Sequence, residues 1–304
     1  MIDSVVVVVV QLVLAVAVTP VLIGVMRTTR ARLEGRFGGG VWQPWRDVRK
    51  LMAKEPTRAP GSTPVLTVAP ILLMASSLVL CALIPLASTL ALESVPGDLF
   101  VVVSVLLLGT VALALLGLES GTAFGGMGSS RHMVIAALVE PTVLLSIYAL
   151  SVPAGTSALA AIVQARRADP ASLLNPVSLL AIFALVVVVI AETGRLPVDN
   201  PSTHLELTMV HEVMVLDHSG PELGAIHYGM ALKLWLFASL LVSLVVPIAS
   251  GSVWLDGALW LLAVFGVGAA VGVVESVMAR LRLLQVARLI MGAGLLSVTA
   301  LLLS

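Results

Sequence analysis

"LLAIFALVVVVIAETGRLPVDNPSTHLE" runs from Leu179 to Glu206. Its first thirteen residues carry no polar side chain; Glu192, Arg195, Asp199 and Glu206 then follow in quick succession. A helix rises about 1.5 Å per residue, so roughly 20 apolar residues cross the hydrocarbon layer of a membrane. The stretch therefore reads as the end of a span followed at once by a charged boundary segment.

The rest of the chain supports that solvent. It is 59% hydrophobic and 11% charged, against about 25% charged residues in soluble domains, and its mean hydropathy is +1.10. Apolar runs recur near 2–26, 65–92, 98–118, 132–153, 174–193, 225–249, 254–279 and 283–303. Gly and Pro interrupt them and no period-two alternation runs through them, which argues for helices rather than a barrel. The expected fold is an all-α polytopic membrane protein with about eight transmembrane helices in one integral-membrane domain, 1–304.

Charge distribution gives the direction of threading. Arg27 to Arg58 hold nine of the seventeen basic residues, and positive loops stay cytoplasmic. Eight spans threaded from an outside amino terminus also place Arg131, Arg195, Arg280, Arg282 and Arg288 inside, leaving Arg166 and Arg167 outside and Lys233 in or near a span. Both termini are expected outside. The first run has no positive residues before it and is longer than a signal-peptide core, so it reads as a retained helix. The lone cysteine, Cys81, cannot hold an iron–sulfur cluster, which needs about four ligands, and reads as a small buried apolar residue.

Between spans, "VWQPWRDVRKLMAKE" (41–55) suits a helix lying in the headgroup layer, with Pro44 in its first turn and Trp42 and Trp45 beside basic residues. "ESGTAFGGMGSSR" (119–131) reads as a connection whose glycines allow close backbone approach; without a following "GK[ST]" it is not a nucleotide loop. A short helix is expected over about 201–217, placing His204, His211 and His218, seven apart, on one face. That spacing supplies too few ligands for a metal site.

Intramembrane carboxylates carry the functional reading, because a charge at the bilayer centre costs about 2.5–3.5 kcal/mol on insertion scales. Glu140 lies within the fourth span beside Pro141, Glu192 ends the fifth, and Glu275 reads as deep in the seventh. Gly268, Gly272 and Glu275 share a face, so Glu275 points to a closely packed neighbour. Lys233 can pair with one acid or snorkel; three acids against that one base leave carboxylates for a proton relay.

"AETGRLPVDNP" resembles the "AE-x-x-R-x-P-F-D" segment of subunit 1 of respiratory complex I, the H subunit of bacterial NADH-quinone oxidoreductase. "STHLELTMVHEVMVLDHSGPELG" and "FGGMGSSRHMVIAALVEP" are more similar still to the homologous membrane subunit of group 4 nickel–iron hydrogenases, the formate hydrogenlyase subunit 4 type. The similarity covers most of the chain; Val198 in place of Phe favours the hydrogenase branch, and this departure and Asp217–His218 in place of Glu–Tyr both weaken the case for ordinary quinone binding.

The resemblance implies a membrane subunit of an energy-converting oxidoreductase complex in the inner (plasma) membrane. It implies arm-docking and cavity roles for Glu192, Arg195 and Asp199, a lateral proton path through Glu140, and an acidic link between the two through Glu206 and Glu212. Glu192 and Glu275 join the proton path as buried carboxylates, and Asp217 joins the docking side as the acid of the departing Asp217–His218 pair. It further implies Ni–Fe and Fe–S centres in hydrophilic hydrogenase-like large and small partner subunits, antiporter-like membrane neighbours, no nucleic acid, and no cofactor on this chain. The alternative within the family is the complex I subunit itself, with quinone near Arg195. An autonomous secondary transporter would favour an inverted repeat, and the spans carry no such symmetry.

Overall fold

The computed structural model describes residues 2–58, 61–84, 97–199, 209–248 and 252–304. In chain order the helices are α1 (Ile2–Leu33), α2 (Gln43–Met52), α3 (Val65–Leu83), α4 (Leu99–Glu119), α5 (Ala123–Ser151), α6 (Leu159–Ala168), α7 (Pro176–Glu192), α8 (His211–Met214), α9 (Gly220–Val245), α10 (Val253–Val277) and α11 (Leu283–Leu303). Among the described residues seven are long and apolar enough to cross a membrane, and α7 is a shorter apolar helix of 17 residues. At 1.5 Å per residue α7 is about 26 Å long, close to the hydrocarbon thickness. The eight expected runs thus each hold one of these helices.

α9 is the centre of the bundle: 78% of its apolar stretch is buried, against 28% for α10 and for α11. Trp235 and Phe237 are wholly enclosed, and the Trp235 ring meets Trp260 of α10 edge-on at 5.8 Å. The outer helices instead present apolar side chains outward, among them Val13, Leu262 and Leu302, as lipid-facing surfaces do. Without a hydrophobic drive between helices in lipid, close packing and interhelical hydrogen bonds join them. Gln11 of α1 donates to the Ile84 carbonyl at 2.7 Å, Tyr228 of α9 donates to the Val16 carbonyl at 2.6 Å, and Ser146 of α5 meets Ser297 of α11 at 2.8 Å. The packing of α1 on α10 uses the small-residue face expected from the sequence. A Cβ at Gly272 would stand 2.6 Å from the Met26 carbonyl oxygen, and one at Gly268 would stand 2.5 Å from Leu22.

α2 forms where expected, with Pro44 in its first turn, and Trp45 donates to the Ala17 carbonyl at 3.1 Å. The 119–131 connection differs from its reading. Only Ser120–Thr122 turn, with Gly121 at φ +60°; Thr122 caps α5 by accepting from the Gly125 amide at 3.1 Å, and Gly125, Gly126 and Gly128 lie inside the helix. Gly125 and Gly128 serve close contact: a Cβ at Gly125 would strike the Gly117 carbonyl oxygen. A Cβ at Gly128 would strike Val213 and Met214, and one at Gly117 would strike Ser129. Propensity disfavours Gly in a helix by about 1 kcal/mol, and close packing of α4, α5 and α8 overrides it here.

The helix read over about 201–217 is also corrected. Residues 200–208, with His204 and Glu206, lie outside the described residues, and in the remainder only His211–Met214 are α-helical. His218 follows the helix end, so His211 and His218 do not share a helical face.

Candidate functional site

The boundary segment after α7 folds back over the end of its own helix. Arg195 donates its amide to the Ile190 carbonyl at 3.1 Å, and Asp199 donates to the Arg195 carbonyl at 3.2 Å. Gly194 holds φ +61°, and a Cβ there would stand 2.7 Å from the His211 ring, so this tight turn requires glycine. The Leu196–Pro197 peptide is cis, and the Pro197 carbonyl accepts from the Leu281 amide at 2.9 Å. The segment thereby sits between the ends of α1, α10 and α11.

Two charged groups result. In the first, Glu275 stands between two arginines: Arg30 of α1 at 3.5 Å and Arg195 at 3.6 Å, its own side chain only 2% exposed. This corrects its sequence placement. α10 ends at Val277, so Glu275 occupies the last turn rather than a deep position, and it has cationic partners. Burial lowers the proton affinity of the Arg195 guanidinium from its ordinary value, and Glu275 works against that loss. In the second, Asp199 accepts from the His211 amide at 3.0 Å and the Val210 amide at 3.3 Å, and meets His211 Nδ1 at 3.1 Å. Arg280 lies 3.4 Å from its other oxygen. Burial opposes the Asp199 charge, but the His211 ring, the His211 amide and Arg280 outweigh it and hold the carboxyl below the usual range.

Arg30, Arg195 and Glu275 of the first group and Asp199 and His211 of the second line one cavity of about 690 Å³ between α1, α2, the boundary segment, α8 and α9. Glu212, half-buried, lines it too, with Arg27, Glu34 and Asp47. Asp217 does not: it is exposed and accepts from the Thr122 hydroxyl at 3.4 Å, on the surface beside the α5 cap.

Deeper in the bundle lies a third group. Glu192 and Lys233 form an ion pair, and the Thr110 hydroxyl is 3.4 Å from each. Glu140, near the middle of α5, acts electrostatically on this pair, and its Oε1 is buried with no hydrogen-bond partner among the described residues. Between the cavity and this deeper group stands His132 of α5, 3% exposed, its ring 5.1 Å from that of His211 and edge-on to it.

The sequence named the acids and Arg195, and weighed Lys233, but it missed Arg30 and Arg280, read only as topology signals, and Thr110 and His132. Thr110 had one local signal: it is the lone hydroxyl in "LLLGTVALALL". Among the described residues no cluster of three or more His, Cys, Asp or Glu is arranged to hold a metal ion.

The family model described as NADH dehydrogenase matches residues 5–304. The chain belongs to that family. Within it, hydrogenase-4 component C of Escherichia coli (strain K12) is 33% identical over 237 residues, covering 78% of this chain and 74% of that protein. Formate hydrogenlyase subunit 4 of the same organism is 29% identical over 280 residues, 90% of each chain. The H subunit of NADH-quinone oxidoreductase from Syntrophotalea carbinolica (strain DSM 2380 / NBRC 103641 / GraBd1) is 29% identical, covering 84% of this chain and 81% of the relative. The fold matches a chain of the membrane-bound sulfane sulfur reductase, an archaeal respiratory membrane complex, with a TM-score of 0.86 over 99% of both chains at 20% identity. The chain is a multi-pass membrane protein, and these relatives are subunits of hydrogenase and NADH-quinone oxidoreductase assemblies.

Proposed function

We propose that this chain docks the redox arm of a hydrogenase-type complex and couples electron transfer there to proton movement through the bundle. The observation that carries the proposal is the sequence of buried charged groups: Glu275 with Arg30 and Arg195, Asp199 with His211 and Arg280, then Glu192 with Lys233 and Thr110, beside Glu140. Intramembrane ionisable residues of this kind mark ion pathways.

The redox centres, Ni–Fe and Fe–S, belong in this reading to hydrophilic large and small partner subunits. Those subunits sit over the cavity mouth, where α2, the boundary segment and the exposed Asp217 share one end of the bundle. Antiporter-like membrane subunits lie alongside, and this end faces the cytoplasm with both termini outside. A unit negative charge brought to about 10 Å from a cavity carboxylate would perturb it by about 1.7 kcal/mol at an effective dielectric of about 20. That exceeds the roughly 1.4 kcal/mol that changes a protonation equilibrium tenfold. Glu212 and Glu275 at the cavity are the first groups to respond, and Glu192 and Glu140 carry the proton inward. Glu206 lies outside the described residues and is assigned to the same path by the resemblance alone.

The second reading, quinone binding near Arg195, draws on the cavity volume, which is that of a small-molecule pocket. Ile23, Met26, Phe37, Val48 and Leu223 give its wall an apolar part, while Arg27, Arg30, Glu34, Asp47, Glu212 and Glu275 set charge along it, which favours water and protons. The test is the complex in sealed vesicles carrying Glu140→Gln, which keeps shape but cannot ionise. We expect an assembled complex that moves fewer protons per electron, and no competition by a quinone-site inhibitor. Full proton movement would remove Glu140 from the path, and competition by the inhibitor would reinstate quinone.

A further inference from the structure

His132 lies between the cavity groups and the deeper pair, and the path above does not use it. It is 3% exposed, and neither ring nitrogen makes a well-formed hydrogen bond among the described residues, the Thr110 backbone being a weak partner only. Leaving a buried polar atom unpaired costs about 1–3 kcal/mol, so such an atom calls for a buried water or a transient partner. The charged groups acting on it come from three sides: His211 of α8, Asp199 of the boundary segment and Lys233 of α9, with the Thr110 backbone of α4 adjacent. An imidazole is suited to this position because it accepts at one nitrogen while it donates from the other.

We propose that His132 carries the proton between the cavity and the intramembrane pair. This inference rests on the relay reading above and names the step that joins its two halves. The Asp199 carboxylate holds the His211 ring in place at 3.1 Å, and the His211 ring is edge-on to His132 at 5.1 Å. A proton reaching the free nitrogen of His132, from His211 through a bridging water, forms one N–H bond. The opposite N–H bond then breaks, releasing a proton by way of a second water to the Glu192–Lys233–Thr110 group. The ring ends neutral with its tautomer reversed, and rotation about the Cβ–Cγ bond restores it. No electron moves in this step, and one proton enters for each that leaves.

The test uses the assembled complex in sealed vesicles, with proton movement measured per electron delivered by the redox arm. His132→Gln keeps a donor and an acceptor but cannot pass a proton through itself. Proton movement should fall by about 100-fold, the lower end of what a positioned acid–base group contributes. A wild-type rate in His132→Gln overturns the inference. Glu140→Gln, measured in parallel, separates the two proposals. Loss in Glu140→Gln with no loss in His132→Gln removes His132 alone, whereas no loss in either removes the whole relay.

Should His132→Gln fail to assemble, infrared difference spectra of the wild-type complex with ring-labelled histidine replace it. The inference requires imidazole bands that appear transiently while protons cross after reduction of the arm, and time-resolved spectra without them overturn it.

Discussion

The ion pair of Glu192 and Lys233 admits a purely structural explanation, mutual neutralisation, and a double-mutant cycle separates that from a role in proton movement. The side chains are 4% and 9% exposed. That burial places the pair in the class where removing one partner costs about 3–5 kcal/mol, not the roughly 0–1 kcal/mol typical of exposed pairs. Lys233→Met leaves the Glu192 carboxyl without its counter-ion, and Glu192→Gln does the converse. The Thr110 hydroxyl, 3.4 Å from each, offsets about 1 kcal/mol as a single hydrogen bond. Either single variant should therefore lose about 2–4 kcal/mol. At about 2 °C per kcal/mol for a chain of this size, the purified complex should melt about 4–8 °C lower.

The double variant carries no buried charge at the pair, and uncharged replacements of similar volume are close to neutral. It should recover most of the lost stability, a coupling of at least about 2 kcal/mol. Proton movement should not recover with it, because the exchangeable groups are gone. The assays are thermal melting of the complex and proton movement per electron in sealed vesicles. Wild-type melting in Lys233→Met would refute the buried pair. A double variant no more stable than the singles would assign the loss to packing, and one that is stable and moves protons fully would make the pair structural only.

Three further outcomes follow from the same geometry. Arg195→Ala leaves Glu275 with Arg30 alone and removes a fixed charge at the cavity, so recovery of the hydrophilic subunits in mild detergent should fall more than insertion of this chain; equal recovery would remove the docking role. Asp199 is held below the usual carboxylate range by His211 and Arg280, so its stabilisation is complete at neutral pH and is lost as the pH falls through that lowered value; Asp199→Asn should flatten the acid limb of melting temperature against pH, and an unchanged limb would refute this. Cysteines introduced at 154–172 should label from outside and those at 209–224 should not, and outside labelling near His211 would invert the topology.

The fold was legible because the bilayer imposes one solution on long apolar runs: helices that satisfy their own backbone. The face carrying Gly268, Gly272 and Glu275 was legible for the same reason, since small residues at helical spacing let α10 approach α1. Misreadings arose where packing reversed a local preference. "FGGMG" reads as a turn in water, yet its missing side chains let α5 lie against α4 and α8.

The site was legible as an inventory of acids and not as pairs. Glu275 read as isolated because its two arginines come from Arg30, in the first helix, and Arg195, past the fifth span; no periodicity connects positions that far apart. His132 left no trace at all, since one histidine in an apolar helix looks the same whether it fills space or links two charged groups. Its meaning depends on what α8 and α9 bring to either side. This ordering has a physical cause. Bilayer thickness acts on each helix separately and is written into each run, whereas neutralising a buried charge is a joint property of several helices and exists only once they meet. A proton path is therefore the last feature of such a chain to become readable, and single-residue substitutions that spare the fold are the measurements that reach it.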